Sequence, residues 1–313
     1  EIRFCDWSSD VCSSDLRIRF PPAETEFLPF VDTWISRHGE PRSEAAFAQL
    51  HEAMRHATYF SFRGAGREPF SWRAWREACR NRFDVAGVFE GFMRYELELL
   101  PGSGVIWADK SPSYVRYLPL LLSHFPNARI IHIVRDVRDY CVSIRKAWNK
   151  DIRRAAWQWG HDVLRAHAQC LAAPGNCFEL RYEYLLQQPE QELRRLCAFL
   201  GVEFLPRLAQ LERPTENLGD TVGRAEIVRD NFHKFAERLT RREVCTVESL
   251  AWQAMRELGY VPVYAHGPRH LGAMTRRLLR LKDGVQLVIG GASRRGLLGS
   301  VRFHTSHQRM IRH

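Results

Sequence analysis

Two stretches of the sequence decide the expected fold: Asp109-Lys110-Ser111-Pro112, and Ile130-Ile131-His132-Ile133-Val134-Arg135-Asp136-Val137-Arg138-Asp139. The first ends a short apolar segment with a polar turn. The second passes from an apolar strand directly into a charged helix start. In α/β proteins, ligands bind at the carboxyl ends of parallel strands, where helix N-termini attract anions. The two stretches therefore predict an α/β protein that binds a phosphate at the carboxyl ends of its parallel strands.

Apolar periodicity predicts alternating strands and helices on both sides of these stretches. The predicted strands cover 105–107, 128–134 and 177–181. The main predicted helices cover 43–57, 83–100, 112–124, 136–148, 153–171, 189–200 and 240–258. Because strands alternate with helices of these lengths, we expect an α/β fold of three layers, α/β/α, with a central parallel sheet.

The length and the charge distribution of the chain limit its possible domain organisation. Its 313 residues, 45% of them hydrophobic, suit a single larger α/β domain. Residues 263–313 carry ten Lys or Arg and one acid, so this segment accounts for +9 of the net charge of +10. The body is therefore not a nucleic-acid binder by charge. The basic C-terminal extension fits either a contact with an anionic surface or a solvated extension.

Cysteine and apolar patterns bear on location. The eight cysteines show no C-x-x-C spacing, and Cys141, Cys170 and Cys197 fall in apolar helical patterns. They predict buried thiols in a reducing compartment, hence a cytoplasmic protein without a disulfide framework or a metal site. No apolar run has the length of a transmembrane segment.

The head of the chain, residues 1–16, has neither a hydrophobic period nor the pattern of a secretory signal. Read back into codons, it can spell a common sequencing adapter. We interpret it as a non-native leader; a disordered Ser/Asp-rich leader is the alternative. The expected organisation is a leader over 1–16, a domain over 17–262 and the basic extension over 263–313.

Arg135 ends an apolar strand, and Ser143 lies about two turns into the helix that follows. An arginine fork suits a phosphate, although the charges here could also form ion pairs at a helix start. Arg-Asp-x-Arg-Asp after a strand, with Ser at this offset, resembles the 3′-phosphate-binding segment of sulfotransferases that use 3′-phosphoadenosine 5′-phosphosulfate. The resemblance implies that Arg135 and Ser143 hold the 3′-phosphate of this co-substrate.

The segment from Asp109 to Pro112 is similar to the Asp/Glu-Lys-Ser/Thr segment of glycan-type sulfotransferases, where the acid is the base. It also resembles the Asn-Lys-Asp-Pro segment of the tyrosylprotein type, which shares only the lysine. Glu24-Thr25 resembles the Glu-Thr segment that supplies the base in the tyrosylprotein type. The resemblances imply catalytic roles for Glu24, Asp109 and Lys110, with Glu24 ahead of Asp109 as the base.

Two further segments resemble parts of the same family. Leu180-Arg181-Tyr182-Glu183-Tyr184-Leu185 is similar to a strand-and-helix segment, which implies that Tyr182 reaches the nucleotide. His233-Lys234-Phe235 lies where relatives carry a Lys-Trp pair near the cofactor phosphates, which implies a contact by Lys234. Phe in place of Trp departs from that pattern.

The main departure from the family is a missing loop. Sulfotransferases cradle the 5′-phosphosulfate with a loop resembling Pro-Arg-Ser-Gly-Thr-Thr, and the sequence contains neither this loop nor a G-x-x-x-x-G-K-[ST] motif. The resemblance therefore implies a P-loop NTPase-like sulfotransferase fold whose first strand and donor loop lie upstream of Arg17. We expect the chain to be an inactive fragment of an active parent enzyme.

The sequence thus predicts sulfuryl transfer to a hydroxyl or amine of a glycan, peptide, lipid or small metabolite, without a metal or a nucleic-acid partner. Two alternatives stay open. One is a non-catalytic protein that binds a nucleotide or an anionic glycan and truly lacks the donor loop. The other is a nucleotide kinase or NTPase, against which the absence of a P-loop lysine argues.

Overall fold

The computed structural model describes residues 18–55, 57, 59–60, 69–209 and 227–295. The described chain divides into two compact units. The N-terminal unit holds the described residues up to Pro126, and the C-terminal unit holds those from Asn127 onward. The predicted leader over 1–16 lies outside the described residues.

The N-terminal unit combines one pair of short strands with helices. Strand β1, Ile18–Arg19, pairs in parallel with β2, Ile106–Trp107. The helices are α1 (Leu28–His38), α2 (Glu44–Met54), α3 (Trp72–Ala78), α4 (Val85–Glu96) and α5 (Leu118–His124), with a 3₁₀ turn at Pro112–Arg116. Strand β1 was not predicted from the sequence, because two residues are too few for a periodic signal.

An aromatic core holds this unit together. Phe27 packs edge-on against Phe92, with ring centroids 4.8 Å apart, and Phe47 packs edge-on against Trp75 at 4.9 Å. All four side chains are fully buried. Ser43 is the N-cap of α2, and its hydroxyl accepts a hydrogen bond from the Ala46 amide, which fixes the start of this helix.

The helix predicted over 112–124 is interrupted. The 3₁₀ turn ends before Tyr117, whose backbone leaves the helical region, and α5 restarts at Leu118. Pro119 explains the break, because its ring would clash with the carbonyl four residues earlier in a continuous helix. The interruption places Tyr114 with its hydroxyl toward the start of α1.

The C-terminal unit contains a second parallel pair, β3 (Ile130–Val134) and β4 (Cys177–Arg181), in which His132 is opposite Glu179. Its helices are α6 (Val137–Trp148), α7 (Ile152–Ala172), α8 (Tyr182–Gln187), α9 (Pro189–Leu200), α10 (Phe235–Arg238), α11 (Arg241–Leu250), α12 (Trp252–Glu257) and α13 (Ala273–Arg295), with a 3₁₀ turn at Pro206–Ala209. The predictions of a strand over 177–181 and a helix over 189–200 are confirmed to the residue.

The helix predicted over 240–258 is two helices, because Ala251 leaves the helical region with φ −106° and ψ 11°. The break lies where α7 passes close by. A Cβ added at Gly160 of α7 would lie 3.1 Å from the Ala251 Cα. The glycine allows this close approach of the two backbones.

The α/β class and the parallel pairing are confirmed. The ladders within the described residues are two separate pairs, β1–β2 and β3–β4, where one central sheet was expected. The expectation that cysteines are free thiols holds for the buried Cys79, Cys141 and Cys197. It is wrong for Cys170 and Cys177, which form a disulfide between the end of α7 and the start of β4. Within the described ranges, no helix has the length and apolar character needed to cross a membrane.

Candidate functional site

The N-terminal unit brings together the residues predicted to be catalytic. The Lys110 ammonium donates a hydrogen bond of 2.6 Å to Glu24 Oε1, and both side chains are largely buried, at 19% and 17% exposure. The pairing follows from the strands, because β1 and β2 run in parallel and the segments that follow them leave from the same edge. Residues separated by 86 positions in the sequence thereby become direct partners.

Asp109 lies in the same cluster. Its Oδ2 accepts a hydrogen bond of 2.5 Å from the Thr25 hydroxyl, and its Oδ1 accepts one of 3.1 Å from the Ser111 hydroxyl. Burial raises the pKa of Asp109 to about 6, because it disfavours the charged form. The two hydroxyl bonds lower the pKa, and the negative charge of nearby Glu24 raises it further. The site therefore holds a carboxyl that titrates close to neutral pH.

A buried hydroxyl network fixes the segment that carries Glu24. The Tyr114 hydroxyl accepts a hydrogen bond of 3.0 Å from the Leu28 amide and shares one of 2.8 Å with Thr25. Ser111 Oγ accepts one of 3.2 Å from the amide of Glu26, which has a positive φ of 54°. Sequence reasoning missed the roles of Thr25 and Tyr114, because lone hydroxyl residues carry no periodic or spacing signal.

The C-terminal unit brings Arg135 and Tyr182 together. The Arg135 guanidinium lies 4.7 Å from the centre of the Tyr182 ring, and one of its terminal nitrogens donates to the Asn231 carbonyl at 3.0 Å. The side-chain amide of Asn231 donates a hydrogen bond of 2.8 Å to the Tyr182 hydroxyl. Arg135 Nε is buried and has no hydrogen-bond partner among the described residues. The packing on Tyr182 and the Asn231 carbonyl together hold the guanidinium in place.

Asp139 holds the segment that carries Lys234. Its carboxylate accepts hydrogen bonds from the His233 amide at 2.6 Å and the Phe235 amide at 3.0 Å. Burial raises the pKa of Asp139, while the charge of Arg135 lowers it. The predicted Ser143 is half-buried on α6, one turn after Asp139. The two residues therefore lie on the same face of that helix.

The charged run from Arg135 to Asp139 was also open to interpretation as ion pairs at a helix start. This interpretation is right for Arg138. Arg138 is buried and pairs with Asp136 at 2.6 Å and with Glu248 at 2.9 Å. Glu183 accepts the Asp136 amide at 2.8 Å and the Tyr260 hydroxyl at 2.9 Å. Arg138 is therefore a structural partner of buried carboxylates, whereas Arg135 contacts an aromatic ring and a backbone carbonyl.

In the part of the chain that the structure describes, no three or more His, Cys, Asp or Glu side chains are arranged to hold a metal ion. His132 and His167 share the Glu179 carboxylate at 3.1 and 2.9 Å. That cluster joins α7 to the β3–β4 pair.

Fold and side chains together define an α/β protein with a largely buried acid–lysine pair after one pair of parallel strands and an arginine packed on a tyrosine ring after the other. A family model described as the Sulfotransferase family matches residues 10–206. The chain therefore belongs to the Sulfotransferase family.

Two relatives illustrate the range of this similarity. An inferred protein-tyrosine sulfotransferase of Caenorhabditis elegans is 32% identical over 121 residues, 36% of this chain and 46% of the relative. An omega-hydroxy-beta-dihydromenaquinone-9 sulfotransferase of Mycobacterium tuberculosis is 29% identical over 153 residues, 41% of this chain and 39% of the relative. The chain thus spans less than half the length of these curated relatives.

A solved structure shows the same fold. The sulfotransferase domain from the curacin biosynthetic pathway aligns with a TM-score of 0.51 and 17% identity, over 82% of this chain and 95% of that domain. At this identity the likeness concerns the fold alone. It agrees with the sulfotransferase fold that the sequence motifs implied.

Proposed function

We propose that the protein transfers a sulfuryl group from 3′-phosphoadenosine 5′-phosphosulfate to an acceptor hydroxyl or amine. The observation that carries this proposal is the Lys110–Glu24 pair at 2.6 Å, with Asp109 in the same cluster, in a chain of the Sulfotransferase family. A carboxylate beside an ammonium provides both a proton acceptor and a positive charge, which are the two groups that this transfer needs.

In the proposed reaction, the acceptor oxygen or nitrogen forms a bond to sulfur while the bond from sulfur to the leaving phosphate oxygen breaks. Glu24 takes the acceptor proton, and Lys110 neutralises charge on the transferring group and the leaving phosphate. Both Asp109 oxygens already accept hydroxyl hydrogen bonds, which favours Glu24 as the base. The pKa of Asp109, about 6, nevertheless suits a base near neutral pH, so Asp109 is the second candidate.

The C-terminal unit is proposed to bind the nucleotide. Arg135 and Ser143 hold the 3′-phosphate, Tyr182 contacts the nucleotide, and Lys234 contacts a phosphate. The buried, unpartnered Nε of Arg135 and the packing of its guanidinium on Tyr182 support this assignment. No step in this proposal requires a metal ion.

Nucleotide binding is tested first, because it requires no knowledge of the acceptor. Calorimetry would measure the affinity of the chain for adenosine 3′,5′-bisphosphate, the product nucleotide. We expect Arg135→Ala to weaken binding by at least about tenfold, since it removes a charge-assisted contact. Arg145→Ala is the matched control, because Arg145 lies on α6 and pairs with Glu243 at 2.8 Å. Equal affinity of Arg135→Ala and the unchanged chain would refute the assignment.

Catalysis is tested by single-turnover transfer from a radiolabelled donor, in a loop-restored protein that carries a relative's first strand and donor loop upstream of Arg17. The acceptors are a tyrosine peptide, a glycan and a hydroxylated lipid. Loss of a general base costs about 10²–10⁴-fold in rate, so Glu24→Gln and Asp109→Asn should differ by at least about tenfold. A loss below about tenfold in both variants would remove this mechanism. Binding of the nucleotide by the loop-restored protein, without transfer to any acceptor, would favour the non-catalytic alternative.

The class of the acceptor substrate and the cellular location of the protein are also proposals. Relatives are named for tyrosine and for menaquinone chemistry, and we propose an acceptor from the classes of peptide, glycan, lipid or small metabolite. Acceptor choice usually depends on variable loops, and much of two such loops, over 60–70 and 210–229, lies outside the described residues. The Cys170–Cys177 disulfide argues against the cytoplasmic location predicted from the scattered cysteines, because disulfides are rare in reducing compartments.

A further inference from the structure

Helix α13, the C-terminal helix of the described chain, carries a line of exposed apolar side chains. Their exposures are 58% to 68%, and they follow one another at intervals of four, three and four residues: Met274, Leu278, Leu281 and Val285. Since an α-helix has about 3.6 residues per turn, these side chains lie on one face, in a stripe roughly 16 Å long. We call it the α13 stripe.

The opposite face of α13 is docked on its own unit. Leu279 and Asp283 are buried. The Asp283 carboxylate pairs with Arg154 of α7 at 3.0 Å and accepts the Asp151 amide at 2.9 Å. The Arg276 guanidinium lies 4.3 Å from the centre of the Trp157 ring. Because this face fixes the rotation of the helix, the α13 stripe points away from α7.

Positive charge flanks the stripe. Arg277 and Lys282 are exposed and lie on either side of it, and Arg280 is exposed farther around the helix. The Lys282 ammonium reaches Asp151 at 3.5 Å and is still 55% exposed. The only acid within Ala273–Arg295 is Asp283, on the docked face. An apolar line between cations is the pattern of a helix that lies in the surface of an anionic membrane.

We propose that α13 binds the surface of an anionic lipid bilayer through the α13 stripe. The four apolar side chains would enter the headgroup boundary, and Arg277, Arg280 and Lys282 would contact anionic headgroups. A second copy of the chain fits this face less well, because a pair of stripes would bring their flanking cations together. An anionic polymer would engage the cations but leave the apolar side chains in water.

Vesicle co-flotation of the full chain tests the proposal. We expect binding to phosphatidylcholine vesicles with about three-tenths phosphatidylserine, little binding to pure phosphatidylcholine, and weaker binding at about 1 M salt than at about 0.1 M. Leu278→Glu/Leu281→Glu should weaken partitioning at least about tenfold. The matched control is Leu171→Glu, because Leu171 on α7 is 68% exposed and lies outside the stripe. This control should bind like the unchanged chain, and circular dichroism would confirm that both variants fold.

Several results would overturn the proposal. The unchanged chain could fail to bind anionic vesicles at low salt, or the double variant could bind as well as the unchanged chain. Retention on heparin without vesicle binding would assign the charges to an anionic polymer. Sedimentation that shows a dimer broken by Leu278→Glu/Leu281→Glu, again without vesicle binding, would assign the stripe to a second copy. None of these measurements needs the donor nucleotide, so they are independent of the proposed transferase activity.

Discussion

Neutralising Asp109 tests whether burial sets the charge of the candidate site. Burial raises the pKa of this carboxyl from 3.8 to about 6. The folded chain therefore keeps the proton to higher pH than the unfolded chain does. As the pH rises through this interval, the unfolded state loses the proton first, so the free energy of unfolding falls. Asp109→Asn has no such proton to lose.

The size of the effect follows from the two pKa values. A difference of one unit between the pKa values of the folded and unfolded chain corresponds to about 1.4 kcal/mol of stability. Above about pH 6 the folded chain also loses the proton, so the stability stops falling with pH. Between pH 4 and pH 7, the unchanged chain should lose about 2 kcal/mol of stability relative to Asp109→Asn. Altered hydrogen bonds to Thr25 and Ser111 shift the stability of the variant by a similar amount at every pH. The diagnostic quantity is therefore the change with pH.

The assay is urea unfolding of both chains at several values between pH 4 and pH 7, followed by circular dichroism. Glu52→Gln, an exposed position of the N-terminal unit, is the control and should follow the unchanged chain within about 0.5 kcal/mol. A stability difference between Asp109→Asn and the unchanged chain that stays constant within about 0.5 kcal/mol from pH 4 to pH 7 would refute the reasoning.

Three further predictions concern the frame of the two units. Glu248→Gln should cost about 3–5 kcal/mol in denaturant unfolding, because it leaves the buried Arg138 short of a charge partner; a cost below about 1 kcal/mol would contradict it. Gly91→Ala should cost about 1–3 kcal/mol in thermal unfolding, because the added Cβ would lie 2.8 Å from the Cys79 Cα; an unchanged midpoint would show that the backbones separate freely. Peptide mapping without reductant should yield a Cys170–Cys177 linked fragment, and alkylation of both thiols in the native chain would exclude the disulfide.

Local patterns determined much of the secondary structure. An apolar run with a polar flank was enough to predict β4 at Cys177–Arg181, and Pro189 with Gly201 marked both ends of α9. Ser43 and Thr240 cap the helices predicted to begin at 43 and 240, and Thr240 does so in a capping box with Glu243. These features depend on residues a few positions apart, so the sequence alone carries them.

Resemblance to segments of known sulfotransferases also identified Glu24, Asp109 and Lys110 as candidates, but it left their relation open. The parallel pairing of β1 and β2 brings Glu24 to Lys110 across 86 positions. The raised pKa of Asp109 depends on burial, which no local pattern reports. Thr25 and Tyr114 join the cluster only through hydroxyl contacts that folding creates.

The charged run after β3 shows the same division most clearly. Its two arginines, Arg135 and Arg138, are alike in residue type and three positions apart; the sequence predicts a phosphate ligand at Arg135 but leaves ion pairs open for both. Packing separates them: Arg138 is enclosed by Asp136 and Glu248, whereas Arg135 packs on Tyr182 with a donor unpaired among the described residues. Residue type fixes the charge that a side chain carries, but the partners that neutralise this charge come from distant parts of the chain, so only the tertiary structure decides which arginine is enclosed by carboxylates and which packs on an aromatic ring.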